Sequence, residues 1–539
     1  MNERLRAFVA GVVGMGIAFG LVELVHGLYE PVPSIPVAVS QRVIVLMPGS
    51  IAEIGISILG GADIPTLVTT TVILTLTLAG LLALLALRNV VAALVGVGVL
   101  GAIAIAASFA EPSFAPIATV LTVVGALGVG VGVTGFLMYA SGLKIAEGKP
   151  APEPMRQGEG EEPRGTRYRE AGSEGGIAIS RRNFIVLSGT AAAVGLGAAG
   201  VGRFLHPEGA QVTAGPSAGA EVATAQSTLP PAPPDASIDA PGMPPLFTPN
   251  EDFYLVDTVI SSPRIDRDSW SLKVKGAVDN PIELSYDDLL SLPTREADIT
   301  LSCVSNEVGG KLVSNARWTG VLLSDVLKEA GLSREKIGRA SEQLVGRSVD
   351  GWEAGFRTET ALDGREALVA FGMNGEELPV NHGYPARLVV PGLYGYVSAT
   401  KWLTEIELTD WNYDAYWVKR GWSKEGPIKT QSRIDTVKDE DTVLAGTVRV
   451  GGVAWAPHRG IERVEVSTDD GETWNDAKLA AQLDVDAWRQ WIYDWDARPG
   501  KYAVKARATD GGGETQTEKE AAPLPSGATG YHTIRVTVA

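Results

Sequence analysis

Cysteine and histidine are scarce in this sequence. The 539 residues include one cysteine, Cys303, and five histidines. A single cysteine excludes a disulfide framework within a monomer, and a lone cysteine is by itself more often an inert buried side chain than a ligand. The sequence has no Cys-x-x-Cys-His motif for c-type haem, and only His26 lies in a long apolar run, whereas a bis-histidine haem needs two axial ligands. We therefore predict no haem in this chain.

Positively charged residues are also fewer than negatively charged ones. The sequence has 46 Lys and Arg residues and 63 Asp and Glu residues, so the net charge is -17. No stretch resembles a basic stripe, which argues against a nucleic-acid partner. The first 140 or so residues carry almost no charge of either sign. At 539 residues the chain is too long for one domain, and this uneven charge separates an apolar N-terminal part from a charged remainder.

Four apolar stretches in the N-terminal part are long enough to span a bilayer, which takes about 20 residues each. They are Phe8–Leu28, Pro65–Leu87, Val90–Ser108 and Phe114–Ala140. A fifth stretch, Val43–Leu59, is shorter and contains Pro48, Gly49 and Glu53, which favours an interfacial or re-entrant segment. We predict an α-helical membrane domain over residues 1–142, in contact with membrane lipid.

A basic linker follows the apolar part. Eight Lys or Arg residues lie between Lys144 and Arg182, so the positive-inside rule places the linker 143–180 in the cytoplasm. Ser180-Arg181-Arg182-Asn183-Phe184-Ile185, with an apolar run behind it, matches a twin-arginine export signal; the alternative is an ordinary fifth span with basic flanks. We predict a signal or anchor helix at 181–204 and a flexible tether at 205–245, rich in Ala, Pro, Ser and Gly. The remainder would then lie on the extracytoplasmic face of the cell membrane.

The remaining residues have a globular composition. Between residues 246 and 435, strand-like runs such as Trp402–Leu408 alternate with helix-like runs such as Leu322–Ala330, which predicts an α+β domain. From about Thr442 the pattern becomes all-β and predicts an immunoglobulin-like sandwich over residues 436–539. The fold class is thus multi-domain: a helical membrane bundle, an α+β domain and an all-β sandwich.

Cys303 lies in the segment Leu301-Ser302-Cys303-Val304-Ser305-Asn306, which follows an alternating run and ends in turn-forming residues. A cysteine at the end of a strand can present its thiolate to a site, and a soft thiolate suits a high-valent, electron-poor metal. Taken by itself this signal is weak.

Several ordered motifs around it resemble the sulfite oxidase family, including its membrane-anchored bacterial members. The Cys303 segment resembles that family's Cys-Ala-Gly-Asn loop, and Ala316-Arg317-Trp318-Thr319-Gly320 resembles the motif that follows it. Further similar segments are Asn250–Tyr254, Met373–Pro379, His382–Gly392, Lys401–Leu403 and, in the last domain, Ile461–Trp474. The resemblance covers about Phe247 to Ala539. It implies an oxidoreductase that carries out oxygen-atom transfer with molybdenum bound to molybdopterin.

The resemblance also implies roles for individual residues. Cys303 would be the metal's protein ligand, while Arg387 and Lys401 would give the pterin phosphate its charge-assisted donors. Six more residues would line the cofactor, the last two of them in an anion-binding nest: Asn250, Tyr254, Ser348, His382, Ser398 and Thr400. Each charged residue could instead be an ordinary surface residue, and only their combination with Cys303 predicts the site.

Departures from the family concern the substrate. Animal and plant sulfite oxidases have arginines where this chain has Asn250 and Asp252, Glu307 and Val308, and Ser526–Ala528. Arg317 and Arg357 are the nearby candidates for binding an anion, and Trp352 replaces the family's active-site tyrosine. An anion in a dry pocket needs compensating charge, so we predict poor sulfite oxidation and better use of a neutral S-oxide or N-oxide. The candidate catalytic residues are Cys303, Arg317, Trp352 and Arg357.

Other readings of the sequence stay open. The enzyme could run as an S- or N-oxide reductase similar to bacterial methionine-sulfoxide reductases, or the chain could be a non-catalytic membrane-tethered binding or adhesion protein. Since no haem is predicted, electrons would be exchanged with a separate electron carrier or a quinone. The resemblance also implies a homodimer through residues 436–539, with the same patch on both subunits.

Overall fold

The computed structural model describes residues 2–29, 31–47, 51, 63–109, 111, 114–143, 180–205 and 222–539. These residues belong to two compact units, one formed by the N-terminal helices and the other by residues 222–539. Apart from its two end residues, the linker 143–180 lies outside the described part of the chain.

Apolar helices make up the described part of the first unit. They are α1 (Glu3–Leu28), α2 (Ile35–Leu46), α3 (Asp63–Ala86), α4 (Val90–Ser108), α5 (Pro116–Ala140) and α6 (Arg181–Leu205). The Asn2 and Asn89 side chains cap α1 and α4 by accepting hydrogen bonds from helix amides. All of these helices except α2 are long and apolar enough to cross a membrane, and they coincide with the predicted spans and signal or anchor helix. Of the stretch Val43–Leu59, only residues 43–47 and 51 are described.

Glycine residues bring α6 close to α1. Gly20 and Gly27 lie one heptad apart on α1, as do Gly195 and Gly202 on α6. A Cβ on Gly20 would overlap the Gly195 carbonyl, and one on Gly27 would overlap the Gly202 carbonyl. Small residues allow such backbone contact between apolar helices. Phe184, from the twin-arginine segment, is 1% exposed in this unit. The helix that carries the Arg181-Arg182 segment is therefore packed against α1 along its length.

Two sheets build the first domain of the second unit. Their strands are β1 (Ser271–Gly276), β2 (Ile282–Ser285), β3 (Thr294–Ser302), β4 (Val313–Leu322), β5 (Gln343–Ser348), β6 (Glu353–Arg357), β7 (Leu368–Met373), β8 (Glu376–Glu377), β9 (Arg387–Val389) and β10 (Leu403–Thr409). The strand orders are β2-β1-β10-β5-β6, with β1 and β10 parallel, and β3-β4-β7-β8, with β9 on β7. Short helices accompany them: α7 (Tyr286–Ser291), α8 (Leu323–Glu329) and α9 (Gly395–Ser398). One core that includes Leu272, Val321 and Phe371 joins both sheets.

Two further sheets form the C-terminal β domain. Their strands are β11 (Gln431–Ile434), β12 (Asp441–Val443), β13 (Gly446–Trp455), β14 (Ile461–Ser467), β15 (Asn475–Asp476), β16 (Lys478–Leu479), β17 (Arg489–Ala497), β18 (Gly500–Asp510) and β19 (His532–Val538). The orders are β11-β13-β17-β16 and β12-β19-β18-β14-β15, and both sheets bury side chains such as Trp491 and Val504 in one core. The domain begins with β11, five residues before the boundary expected at 436, because β11 pairs with β13. Its four residues are too few to show an alternating pattern.

Residues 222–245 are held against both domains. The Gln226 amide donates to the Thr294 hydroxyl at 2.9 Å, and the Ile238 amide donates to the Gln490 side chain at 2.5 Å. Their composition predicted a flexible tether, whereas their backbone amides find acceptors far away in the sequence. Composition cannot show such long-range partners, so this segment is better described as a strap.

Candidate functional site

Cys303 is the first residue after β3, where the chain leaves the sheet. The Asn306 amide donates to the Cys303 carbonyl at 3.1 Å, and the Cys303 amide donates to the Leu312 carbonyl at 2.9 Å, which closes a compact loop. Burial raises the pKa of the Cys303 thiol, while hydrogen bonds from the amide and hydroxyl of Ser305 favour the thiolate. The residue is partly accessible. The loop therefore presents a sulfur whose charged form has local donors.

The C-terminal β domain supports this loop. Arg433 on β11 donates a guanidinium N–H to the Gly310 carbonyl at 2.9 Å. The His532 ring on β19 lies against Gly309, whose φ is +76°, and a Cβ on that glycine would overlap the imidazole. Burial lowers the pKa of His532 to about 4, so the packed ring is neutral at pH 7. The position of the Cys303 loop thus depends on contact between the two domains.

Arg387 on β9 is a buried cation in the first domain. It is 3% exposed, and burial lowers its pKa to about 10. In the described part of the chain it forms no ion pair; it donates to the His382 carbonyl at 3.0 Å and lies over the Trp318 ring at 5.2 Å. Burying a charge without a counterion is costly, and an anion brought by a ligand would relieve that cost.

Lys401 adds a second positive charge beside Arg387. Its amine pairs with Asp257 at 2.8 Å and donates to the Asn381 carbonyl at 2.9 Å. Burial lowers the pKa of Lys401 to about 8; Arg387 lowers it further, whereas Asp257 raises it. One paired carboxylate next to two cations leaves net positive charge in this part of the domain.

His382 lies beside these two cations without being charged itself. We call His382, Arg387 and Lys401 together the cationic group. Its Nε2 lies 3.0 Å from the Asn250 carbonyl, which accepts, so Nε2 carries the hydrogen. Nδ1 is buried with no partner among the described residues, although buried polar atoms are normally hydrogen-bonded. Burial and the two neighbouring cations lower the pKa of His382 to about 3, so Nδ1 remains an acceptor for a donor on a ligand.

Tyr254 connects the thiol with the cationic group. Burial and the negative charge of Cys303 raise the pKa of the Tyr254 hydroxyl, while Arg387 lowers it. One side chain therefore responds electrostatically to both parts of the site. A thiolate, an acceptor nitrogen and two underpaired cations fit a molybdopterin cofactor, which combines a sulfur-coordinated metal, a pterin with N–H donors and an anionic phosphate.

The remaining predicted polar contacts to the cofactor are less direct. Ser348, Ser398 and Thr400 are buried. Ser398 donates to the carbonyl of residue 394 at 3.0 Å, and Thr400 donates to a β5 carbonyl at 3.4 Å, so neither hydroxyl is directed to donate to a phosphate. Trp352, after the turn between β5 and β6, has a buried indole N–H without a partner among the described residues. This donor is available to a ligand.

Asn250 contacts the cationic group through its backbone carbonyl rather than through its side chain. Its amide group donates to the Met373 carbonyl at 3.2 Å and to Glu376 at 3.1 Å, and its side-chain oxygen accepts from Asn374 at 2.9 Å. Only the Asn250 carbonyl reaches His382. The side chain expected on the cofactor instead anchors the neighbouring turn.

The two arginines predicted to bind substrate have other partners. Arg317 on β4 forms a bidentate pair with Asp298 on β3, at 2.7 and 2.8 Å. Arg357, at the end of β6, pairs with Glu425 at 3.0 Å and lies over the Trp411 ring at 4.0 Å. Strand pairing places Arg317 directly opposite Asp298, which explains its choice of partner. Each of these charges already has a carboxylate partner; the Arg317 pair is largely buried, whereas the Arg357 pair is exposed.

Sequence reasoning missed Tyr394 and Lys429. Burial raises the pKa of Tyr394 to about 12, and the charge of Cys303 contributes, which places this ring near the thiol. The Lys429 amide donates to the Tyr394 hydroxyl at 3.4 Å, and its amine donates to the Gly527 carbonyl at 2.5 Å. Gly527 lies in the segment Ser526–Ala528, where the family resemblance implied an arginine that this chain lacks. No motif contains Lys429, and only the fold brings it there.

Two family models match the second unit. Residues 259–417 match the oxidoreductase molybdopterin binding domain, and residues 426–538 match the Mo-co oxidoreductase dimerisation domain. The chain is similar to the mitochondrial sulfite oxidase of Rattus norvegicus (32% identical over 287 residues, 46% of this chain and 52% of the relative) and to that of Homo sapiens (31% over 289 residues, with the same shares). It spans about half the length of these curated relatives.

A solved structure of the sulfane dehydrogenase SoxCD from Paracoccus pantotrophus is also similar, with a TM-score of 0.46 and 23% identity over 61% of this chain and 90% of that one. The first family match contains Cys303 and the whole cationic group, so the cofactor implied by the match agrees with the residues present. The match to an oxidoreductase domain argues against the alternative of a non-catalytic binding protein. Residues 259–538 therefore belong to the sulfite oxidase family of molybdopterin-dependent oxidoreductases.

Proposed function

We propose that this protein is a membrane-anchored, extracytoplasmic molybdenum oxidoreductase that transfers an oxygen atom to or from a small neutral sulfur or nitrogen compound. Arg387 carries the proposal, because this buried cation has no ion pair among the described residues and lies, like Cys303, in the part of the chain that matches the molybdopterin binding domain. The thiol and the cationic group would thus bind two parts of one cofactor.

When bound, molybdopterin supplies the two-electron oxygen-atom chemistry. Cys303 would hold the metal, and the Ser305 hydrogen bonds favour the thiolate that a metal requires. Arg387 and Lys401 would hold the phosphate, with Lys401 exchanging Asp257 for a stronger anion. The unpaired Nδ1 of His382 would accept a hydrogen bond from a pterin N–H.

The neutral charge of the substrate is inferred from the pairing of cations. Arg317 and Arg357 are each paired with a carboxylate, and the cationic group would be occupied by the phosphate. Lys429 is partly buried, forms no ion pair among the described residues and donates to the Gly527 carbonyl. A small anion would therefore meet little uncompensated positive charge. A reductase acting on the same neutral oxides is the second candidate, favoured by the same lack of cations.

Anchoring in the membrane is supported by the five apolar helices and by the packing of α6 on α1. Lys and Arg residues concentrated between 144 and 182 favour a cytoplasmic linker, which puts residues 222–539 outside. Protease added to intact cells should remove the second unit, and protection of that unit would contradict this topology.

A homodimer through the C-terminal β domain is supported by the match to the dimerisation domain. We assign this domain an immunoglobulin-like sandwich, in agreement with its two sheets around one core. Electrons would pass to or from a separate electron carrier or a quinone.

Steady-state assays with sulfite and with a dialkyl sulfoxide, using an artificial electron carrier, test the substrate. Each missing charge-assisted contact costs about 1.5–3 kcal/mol, so we expect a KM for sulfite raised by orders of magnitude over true sulfite oxidases. Lys429→Met should not alter sulfoxide turnover, with Lys424→Met as the matched control. Tight sulfite turnover that Lys429→Met removes would show that this lysine replaces the missing arginines, and would refute the neutral-substrate part of the proposal.

A further inference from the structure

We propose that two buried donors, the indole N–H of Trp422 and the hydroxyl of Tyr394, bind the oxygen atom of a neutral sulfoxide or N-oxide beside Cys303. The inference rests on the proposed function and deepens it, because it names the groups that would select a neutral oxide over an anion. It concerns binding alone, so it holds whether the oxide is the substrate or the product.

Trp422 provides the first donor. It follows the short helical turn Val418–Arg420 and is 6% exposed. Its indole N–H is buried and has no hydrogen-bond partner among the described residues. Buried polar groups normally have partners, and an unpaired one raises the free energy of the folded protein. A ligand atom that accepts this hydrogen bond would remove that cost.

Tyr394, just before α9, provides the second donor. The residue is 3% exposed, and burial raises its pKa to about 12, so the hydroxyl keeps its hydrogen at neutral pH. The hydroxyl oxygen accepts a long hydrogen bond from the Lys429 amide at 3.4 Å. In the described part of the chain its hydrogen has no acceptor. This donor is therefore also left for a ligand.

The segments that carry the two donors run side by side. The Tyr394 amide donates to the Gly426 carbonyl at 2.7 Å. The Tyr396 hydroxyl donates to the Ser423 carbonyl at 2.7 Å, and the Tyr396 ring meets the Trp422 ring edge to face at 5.2 Å. Both donors are therefore held in the same part of the domain by fixed contacts.

Apolar packing places this pair beside the Cys303 loop. Val304, the residue after Cys303, is fully buried. It belongs to the same hydrophobic cluster as Tyr394 and Trp422. The two donors thus lie next to the loop that would hold the metal.

Segment 527–530 provides a second connection to that loop. A Cβ on Gly527 would overlap the Tyr394 hydroxyl, and one on Gly530 would lie 3.7 Å from a methyl group of Val308. The segment therefore lies against both the Tyr394 hydroxyl and the Cys303 loop. A side chain at position 527 would collide with this hydroxyl, so the segment that lacks the expected arginine makes room for a neutral donor.

Two other buried indole N–H groups lack partners among the described residues, and both lie elsewhere. Trp491 is in the core between the two sheets of the C-terminal β domain. Trp352 follows a turn on the side of Lys401, because the Val349 amide in that turn donates at 3.0 Å to the carbonyl of Trp402, the residue after Lys401. The indole donor on the Cys303 side is that of Trp422.

Neutral donors suit a neutral oxide for a physical reason. The oxygen of a sulfoxide or N-oxide carries partial negative charge and accepts strong hydrogen bonds. An anion needs compensating positive charge as well, which an indole and a phenol do not supply. A site built to donate hydrogen bonds also rejects ligands that leave its buried donors unpaired. The pair would therefore favour the oxide over a ligand of similar shape without the oxygen.

The test measures the affinity of the full-length, cofactor-loaded protein for dimethyl sulfoxide. The oxidised protein cannot reduce the sulfoxide, so calorimetry measures binding without turnover. Trp422→Phe and Tyr394→Phe each remove one donor but keep an aromatic ring. Each should weaken the affinity about three- to tenfold, the loss expected for one hydrogen bond between neutral groups. Unchanged affinity in either variant would overturn the pair, as would absence of sulfoxide binding to the parent protein.

Matched controls separate ligand binding from packing. Trp488 is buried in the same cluster, but its indole donates to the Leu246 carbonyl at 2.9 Å, and the Tyr396 hydroxyl donates to Ser423. Trp488→Phe and Tyr396→Phe should lower the thermal unfolding midpoint and keep the parental affinity. In Trp422→Phe the midpoint should fall less, because its indole has no protein hydrogen bond to lose. A lower midpoint with parental affinity in Trp422→Phe would show that the indole only packs.

Turnover distinguishes failure of this inference from failure of the proposed function. If the protein binds dimethyl sulfoxide but does not reduce it when an artificial carrier supplies electrons, the donor pair stands and oxygen-atom transfer to a sulfoxide is wrong. If the sulfoxide is turned over with the same KM in the parent, Trp422→Phe and Tyr394→Phe proteins, the proposed function stands and the donor pair is wrong.

Discussion

The thiol and the cationic group are held by different parts of the chain. The Cys303 loop is closed by its own hydrogen bonds but is braced by Arg433 and His532 from the C-terminal β domain. The cationic group comes from one segment of the first domain and keeps an unbalanced positive charge. The loop thus needs two assembled domains to be positioned, whereas the cationic group needs an anion. Cofactor binding should therefore lower the electrostatic free energy of the cationic group. The Cys303 loop, in contrast, should already be in position before the cofactor binds.

The largest effect is expected from Cys303→Ser. Serine is close in size but is not a soft metal ligand, so turnover should fall by more than the roughly 100-fold that loss of an outer contact to a metal site costs. Because the loop is closed by backbone hydrogen bonds, the thermal unfolding midpoint should change little. Molybdenum analysis, activity and circular dichroism measure this, and full activity in the serine variant would show that Cys303 is not the ligand.

Arg387→Met tests the cationic group. Loss of a charge-assisted contact to the phosphate costs about 1.5–3 kcal/mol, so affinity for the cofactor should fall roughly ten- to hundredfold. The cofactor-free protein should be as stable as the parent or more stable, since an underpaired buried charge has been removed. Arg334→Met, at an exposed arginine paired with Glu359, is the matched control. Unchanged cofactor content in purified Arg387→Met would contradict the assignment.

Gly309→Ala tests the brace on the loop. The substitution adds backbone strain at φ +76° and a collision with His532, and strain of this kind costs about 1–3 kcal/mol. We expect slower turnover with cofactor content nearly unchanged, because the phosphate contacts remain. Gly364→Ala has a similar backbone cost at φ +99° but open space around the added Cβ. If both variants lose the same activity and stability, the contact with His532 has no special role.

The smallest effect is a shift in pH dependence caused by Asp257→Asn. The folded-state pKa of Lys401 is already lowered to about 8, and Asp257 raises it, so removing the carboxylate lowers it further. Phosphate binding needs the protonated amine; cofactor uptake should therefore decline as pH rises through about 8 in the parent protein and at lower pH in the variant. Uptake by cofactor-free protein, measured from pH 6 to 9, gives the two midpoints. Identical midpoints would show that Asp257 does not control Lys401.

Several features of the site could be predicted because they depend only on short stretches of sequence. A cysteine at the end of an alternating run did become the first residue after β3, and the motif around His382 and Arg387 did supply the buried cations. Motifs preserve backbone conformation and residue order, which is enough to place residues on the same loop. They do not record which side chains meet across a sheet.

Some residues lie elsewhere than predicted because of the hydrogen-bond and ion-pair partners that the fold brings to them. Arg317 faces Asp298 because β3 and β4 pair in one register, and Asn250 is engaged by Asn374 at a turn more than a hundred residues away. Lys429 reaches Gly527 only because the C-terminal β domain folds back on the domain boundary. Each of these contacts joins distant parts of the chain, so local pattern could not reveal it.

The sequence by itself determined the five long apolar helices, though not the shorter α2, together with the strand that ends at Cys303 and the family, since long hydrophobic runs, alternation and ordered motifs are local properties. Tertiary structure decided which charges are paired, that the strap 222–245 is fixed, and that Tyr394 and His532 lie beside the Cys303 loop. The reason is physical: hydrogen bonds and ion pairs act over a few ångströms, and only the folded chain brings residues that are far apart in sequence within that range.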